Sequence, residues 1–328
     1  MFKTILVATD RVTGVDAPVS TAIDFARQYQ AELHILHVLE SVSTDHRDRI
    51  MHFKTGHEIM ITPEYLENVC EELKQSYNSI LTEFEKGSIR ISTGNPWEEI
   101  LRTARKINTD LILMGPHAGN AEKRGVIRVA GKIGSTVQNV IARENCPVMI
   151  VSRPVNREKL LLKKIVVGID FSVSSECALC LGAKLSRNFG STLYPFFMLP
   201  VPPYPKYSGA DYKSDMDRFR HKLKDFCDLY LDGIDHEYHL WGGALPHREV
   251  LKCAGKIDAD LIMLGSHTKL SAGKWYGGSV VEQVSHSAEC PVVSVNDPEA
   301  LIRWKDIRVP SADGEIPVDR TIHLFNIP

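Results

Sequence analysis

Short apolar runs rich in β-branched residues alternate with stretches of helical periodicity along the first half of the chain. The runs with strand character are "TILVA", "LHILHV", "SIRIS", "DLILMG" and "PVMIV". Between the first two runs, Val19, Ala22 and Ala26 recur at the spacing of one helical face, so we expect that face to pack on a sheet. This alternation predicts a parallel sheet covered by helices and joined by right-handed crossovers.

The same pattern occurs twice along the chain. Four pairs of similar segments are found: "KTILVATD" (3–10) with "KKIVVGID" (163–170), "AELHILHV" (31–38) with "STLYPFFM" (191–198), "DLILMG" (110–115) with "DLIMLG" (260–265), and "GSTVQNVIARENCPVMIV" (134–151) with "GSVVEQVSHSAECPVVSV" (278–295). The first two pairs share one offset of 160 residues without a gap. The chain is therefore predicted to hold two tandem copies of one α/β domain, each a five-stranded, mostly parallel open sheet flanked by helices.

The repeat also sets the predicted domain boundaries. We expect a first domain over 1–153, a linker over 154–162 and a second domain over 163–296. The polar interval over 41–86 is expected to form a flap followed by a long helix. A tail over 297–328 has no counterpart in the first copy.

Composition narrows the class of protein. The 328 residues are 43% hydrophobic and 24% charged, which is typical of a folded globular chain. Lys and Arg number 39 against 41 acidic residues, so no basic excess indicates nucleic-acid binding. We find no apolar run of membrane-spanning length and no secretory signal pattern, and the seven cysteines are an odd number that suits a reducing compartment. These features predict a cytoplasmic protein.

Two glycine-marked turns in "LGSHTKLSAGKWYGGSVVEQV" (264–284) indicate a ligand site. Gly265 directly follows a strand candidate, and Gly278 and Ser279 directly precede a helical pattern. Ligands of open parallel sheets bind beyond the carboxyl ends of the strands. A helix beginning at Ser279 would offer free backbone N–H groups and the positive end of its dipole to phosphate oxygens. The segment therefore predicts a possible phosphate clamp.

The repeat and the glycine-marked turns make the chain resemble the universal stress proteins in their tandem form. The resemblance rests on an aspartate ending the first strand of each copy (Asp10 and Asp170), a glycine loop after the fourth strand, and "CPV" entering the fifth. It implies a Rossmann-like fold similar to that of the adenine nucleotide alpha hydrolases. It also implies that the two last strands, "PVMIV" (147–151) and "PVVSV" (291–295), run antiparallel across a pseudo-twofold axis. The chain would then be an intramolecular pseudo-dimer, with a further homodimer optional.

The nucleotide-binding branch of that family carries the pattern G-x2-G-x9-G-[S/T], and the two copies match it differently. The second copy reads Gly265-x2-Thr268-x9-Gly278-Ser279, which keeps the spacing and replaces the middle glycine. In the first copy, Gly119 comes one residue late. Fourteen residues then separate it from Gly134, and this insertion carries Lys123, Arg124, Arg128 and Lys132. The second half is therefore the better candidate.

The resemblance implies a site for ATP or another adenine nucleotide, with Mg²⁺ if the ligand is ATP. The second-half residues implied are Asp170, Met198, Gly265, His267, Thr268, Gly278, Ser279 and Val280. The first-half residues implied are Asp10, Val38, Gly115, Gly134, Ser135 and Thr136. The aspartates would lie beside the ribose and adenine, and the backbone of Val38 or Met198 would contact the adenine edge. The alternative interpretation is that the aspartates are turn or cap residues and that the Gly-Ser steps only cap helices.

Three functions stay open at this point. The leading hypothesis is a stress-response protein that binds an adenine nucleotide as a regulatory ligand. The alternative is a universal-stress interaction module without nucleotide that acts through an unknown protein partner. An enzyme comes third, either a slow ATPase or a thiol oxidoreductase using Cys177-x-x-Cys180, although small packing residues are the simpler interpretation of that pair. We assign no catalytic residue and no metal ligand.

Overall fold

The computed structural model describes residues 2–10, 16–41, 49–52, 57–81, 87–116, 133–201, 208–266 and 280–296. The first domain contains β1 (Thr4–Thr9), α1 (Ala17–Tyr29), β2 (Glu32–Glu40), β3 (Arg49–Met51), β4 (Glu58–Met60), α2 (Pro63–Leu81), β5 (Gly87–Gly94), α3 (Pro96–Lys106), β6 (Leu111–Met114), α4 (Ser135–Arg143) and β7 (Val148–Ile150). The second contains β8 (Lys164–Gly168), α5 (Val173–Phe189), β9 (Thr192–Pro200), α6 (Gly209–Leu231), β10 (His239–Gly243), α7 (Pro246–Ile257), β11 (Leu261–Gly265), α8 (Val280–Ser287) and β12 (Val292–Val295).

Ten strands form one continuous sheet in the order β10-β9-β8-β11-β12-β7-β6-β1-β2-β5. The strands are parallel within each half, and the halves meet where β12 pairs antiparallel with β7, Val293 opposite Met149. The predicted five-stranded sheets and the antiparallel pairing of the last strands are thus confirmed. Two further strands of the described residues, β3 and β4, pair with each other in a separate antiparallel ladder.

Helices cover both faces of the sheet, so most strands are apolar on both sides. Ile5 and Val7 face one core cluster and Leu6 faces the other, and all three side chains are fully buried. Parallel strands that are covered on both faces read as continuous apolar runs, which is the pattern seen in the sequence. Each of the two clusters contains residues of both domains.

The interdomain segment is packed rather than extended. It contains a 3-10 helix over Arg157–Leu161, and Leu160 and Leu162 are buried in the core. The hydroxyl of Tyr29 on α1 donates a hydrogen bond to the carbonyl of Leu160 at 3.2 Å. The linker predicted over 154–162 therefore contributes core contacts to the first domain.

The interval predicted as a flap and a long helix contains the paired strands β3 and β4 and then α2. Ile50 on β3 is fully buried and bridges to Ser41, so this part of the interval packs on the domain. The long helix is confirmed over Pro63–Leu81. The tail over 297–328 lies outside the described residues.

Two equivalent hydrogen bonds flank the seam between the domains. The hydroxyl of Ser152 donates to the carbonyl of Ser285 on α8, and the side-chain amide of Asn296 donates to the carbonyl of Ile141 on α4 at 3.0 Å. In the repeat, 152 corresponds to 296 and 141 corresponds to 285. Each last strand therefore ends by holding the last helix of the other domain.

We expect Asn296→Ala to lower the free energy of unfolding by about 1 kcal/mol, because one partly buried hydrogen bond between the domains is lost. Chemical denaturation of the full chain would measure the change. Ser287→Ala is the control, since Ser287 is exposed at the end of α8. Equal stability of the Asn296 and Ser287 variants would contradict the role given to Asn296.

Candidate functional site

The predicted first-half residues lie at the point where the strand order reverses. β1 stands between β2 and β6. From β1 the chain continues to β2 and β5 on one side, and then crosses back to β6 and β7 on the other side. Thr9 pairs with His37, so Asp10 and Val38 come next at the same level of neighbouring strands. Ala8 pairs with Met114, which places Gly115 directly beyond the carboxyl end of β6. The structure thus brings these sequence-predicted residues together at the carboxyl ends of neighbouring strands.

The fourth helix of this domain starts at the predicted place. Gly134 is the N-cap of α4, has an extended backbone and makes no side-chain cap hydrogen bond. Ser135 and Thr136 are the first two residues of the helix. The N–H of Gly134 donates to the carbonyl of Pro116 at 2.7 Å, which ties the start of α4 to the segment after β6. The first N–H groups of a helix have no partner within it and suit an anion.

His37 is a residue of this region that the sequence interpretation missed. Its ring is buried, and Nδ1 lies 3.0 Å from the carbonyl oxygen of Thr9 and therefore donates to it. Burial lowers the pKa of His37 below its usual value, so the neutral ring is favoured. The only signal in the sequence was its position one residue before Val38.

The second half has the same arrangement of strand ends. Gly168 pairs with Phe196, so Asp170 and Met198 reach the same level, and Gly265 ends β11 beside them. Val280 begins α8 within the described residues. His267, Thr268, Gly278 and Ser279 lie outside the described residues, as do the four basic residues of the first-half insertion.

Asp170 has a structural role at the start of α5. Its Oδ1 accepts hydrogen bonds from the backbone N–H of Ser172, at 3.0 Å, and from the Ser172 hydroxyl. Ser172 is in turn the N-cap of α5 and accepts from the N–H of Ser175 at 3.2 Å. The turn-and-cap interpretation therefore accounts for these contacts of Asp170.

Gly265 has a packing role that the phosphate interpretation did not include. A Cβ at this position would lie 2.3 Å from the carbonyl carbon of Ser174 and 2.4 Å from the nitrogen of Ser175. Real Cβ atoms do not approach backbone so closely, so the first turn of α5 can reach the end of β11 only because residue 265 is glycine.

The Cys177-x-x-Cys180 pair lies inside α5. Both side chains are buried, and burial raises the pKa of the Cys180 thiol far above its usual value. All seven cysteines lie among the described residues, and none of them forms a disulfide. The burial of both thiols fits the interpretation of the pair as packing residues.

Two general findings concern the described part of the chain. None of its helices is long and apolar enough to cross a membrane. Its His, Cys, Asp and Glu side chains form no group of three that could hold a metal ion.

Comparison with known proteins agrees with this architecture. The model of the universal stress protein family matches residues 1–152 and 162–296. The universal stress protein MJ0531 of Methanocaldococcus jannaschii is 27% identical over 147 residues, which are 42% of this chain and 85% of that protein. MJ0577 of the same organism is 27% identical over 162 residues, 47% of this chain and 96% of that protein.

A solved structure covers both domains. A universal stress protein from Archaeoglobus fulgidus superposes with a TM-score of 0.60 at 17% identity, over 89% of this chain and 96% of that one. At this identity the likeness shows a shared fold. Because the family model matches both halves and the fold agrees, the chain belongs to the universal stress protein family, in its tandem two-domain form.

Proposed function

We propose that the protein is a cytoplasmic stress-response protein that binds ATP or a related adenine nucleotide as a regulatory ligand, best in its second half. The ligand would be held rather than turned over, with at most slow hydrolysis. Mg²⁺ would accompany ATP through its phosphates. A further homodimer would be optional, since the last strands already pair within one chain.

One observation carries the proposal. Three features of each domain lie together where the strand order reverses. They are the aspartate after β1 or β8, the residue beside it on β2 or β9, and the glycine at the end of β6 or β11. Open α/β sheets bind their ligands at this place. The second half is favoured because Gly265, Thr268, Gly278 and Ser279 keep the family spacing.

A second candidate function has its own support. The carboxylate of Asp170 already accepts two hydrogen bonds from Ser172, and Gly265 is required by the packing of α5. Both residues therefore have structural roles that do not require a bound nucleotide. The alternative is therefore an interaction module that acts through a protein partner.

We expect wild type to bind ATP and Ser279→Asp to bind it at least tenfold more weakly. A carboxylate at residue 279 would lie among phosphate oxygens and repel them. Calorimetry with Mg²⁺-ATP would measure both affinities, and an ATP hydrolysis assay on the same samples would test the absence of rapid turnover.

The matched control is Ser287→Asp, which adds the same charge at the opposite, exposed end of α8. It should bind ATP as wild type does. Equal weakening in both variants would mean a general charge effect and would contradict the clamp. Absence of ATP binding by wild type would favour the interaction module.

A further inference from the structure

A groove of about 620 Å³ runs along the outer edge of β5, between α2 and α3 of the first domain. Its lining includes Cys70 from α2, Ser92 from β5, and Glu99 and Arg102 from α3. Glu99 is largely buried and its Oε1 lies 2.6 Å from Nη1 of Arg102. We call this cavity the edge groove. It shares no residue with the nucleotide site proposed above.

The second domain shows what stands at the equivalent place. Val38 on β2 pairs with Ser92, and Met198, its repeat equivalent on β9, pairs with Trp241 on the other edge strand, β10. Trp241 therefore occupies the position of Ser92. The two sheet edges differ by a large aromatic side chain against a small hydroxyl.

The acidic residue is also equivalent in the two domains. A Cβ on Gly94 would lie 3.3 Å from Oε1 of Glu99, and a Cβ on Gly243 would lie 2.6 Å from Cγ of Glu249. Each glutamate thus packs against the glycine that ends its edge strand. One extra residue between Gly243 and Glu249 hides this match in the sequence.

In the second domain the indole of Trp241 fills this place. Its Nε1 donates to Oε2 of Glu249 at 2.7 Å, and its ring centroid lies 4.6 Å from that of Phe196. The ammonium of Lys256 lies 4.7 Å from the ring centre. The chain thus satisfies the partly buried Glu249 with a ring N–H of its own.

The hydrogen-bonding edge of β10 is covered as well. The hydroxyl of Tyr212 on α6 accepts a hydrogen bond from the backbone N–H of Gly242 at 3.2 Å. The edge groove has an apolar lining of its own in Leu66 of α2 and Ile91 of β5. The first domain therefore keeps the glutamate but has serine where the indole stands.

We propose that the edge groove binds a small planar heteroaromatic compound with a ring N–H, of the indole class. The ring would take the place that Trp241 takes in the second domain, with its N–H donating to Glu99. The carboxylate of Glu99 has acceptor capacity beyond its contact with Arg102. A volume of about 620 Å³ lies within the range of ligand pockets and leaves room for a substituent on the ring.

The test compares indole with 1-methylindole, which has nearly the same shape and lacks the ring N–H. Calorimetry on the full chain should show indole binding at least tenfold more tightly, because the methylated ring cannot donate a hydrogen bond to Glu99 and buries part of that carboxylate without replacing its water. In Glu99→Gln this preference should fall. Equal affinities of wild type for the two compounds, or no binding of indole, would overturn the proposal.

Variants and a chemical probe locate the binding. Ser92→Trp, which copies the second domain, should abolish indole binding, whereas Ser92→Ala should retain it. Indole should also slow the alkylation of Cys70 by iodoacetamide, with partly exposed Cys290 as the control within the same protein. Alkylation needs only the wild-type chain, so the test stands even if Ser92→Trp does not fold. Undiminished alkylation of Cys70 at saturating indole would overturn the assignment to this groove.

Discussion

Replacing Val293 by proline is expected to lower the free energy of unfolding by about 3 kcal/mol or more. Val293 lies in β12, a central strand with β11 on one side and β7 of the other domain on the other. Proline has no N–H to donate, so a buried carbonyl loses its partner and the ring distorts the ladder. Val293 turns its backbone N–H toward β11, and the same strand carries the seam between the domains, so distortion of β12 should be felt globally. Denaturant titration with a fluorescence and a circular dichroism readout would measure it.

Val293→Ala separates the side-chain contribution from that of the backbone. The alanine variant removes buried apolar atoms, worth about 1.5 kcal/mol at about 0.8 kcal/mol per methylene, and keeps every backbone hydrogen bond. Proline retains similar apolar bulk and loses the donor. If Val293→Pro were no less stable than Val293→Ala, the hydrogen-bonded placement of β12 against β11 in the middle of the sheet would be wrong.

Gly265→Ala is expected to lower the free energy of unfolding by about 2 kcal/mol or more. The added methyl group would lie within 2.6 Å of three backbone atoms of Ser174 and Ser175. Backbone in the first turn of α5 cannot rotate aside as a flexible side chain can, so the helix would have to move away from β11. Thermal and chemical denaturation of the full chain would measure the loss.

Gly255→Ala provides the matched control, with the opposite sign. Gly255 lies in α7, and a Cβ there would meet no atom within 4 Å beyond its chain neighbours and the backbone of its own helix. Alanine should therefore stabilise the protein by up to about 1 kcal/mol through its higher helix propensity. A neutral Gly265→Ala variant would contradict the close approach of α5 to β11.

The candidate site could be predicted from the sequence only as far as its location. Asp10 and Asp170 were correctly placed after first strands, and Gly134 and Ser135 were correctly placed at a helix start, because these are local features of turns and caps. The contacts of Asp170 with Ser172 depend on how its side chain turns after the strand. Both the ligand and the capping interpretation predict an aspartate at that position, so the sequence could not separate them.

By itself the sequence determined the strands, most helices and the two-domain repeat, because buried parallel strands and amphipathic helices each leave a periodic pattern in neighbouring residues. Only the tertiary structure decided the packing of α5 on Gly265, the hydrogen bonds of Ser152 and Asn296 across the seam, and the equivalence of Ser92 with Trp241. These contacts join residues far apart in the chain. Their partners are set by strand register and helix docking, which depend on the whole sheet and leave no local pattern in the sequence.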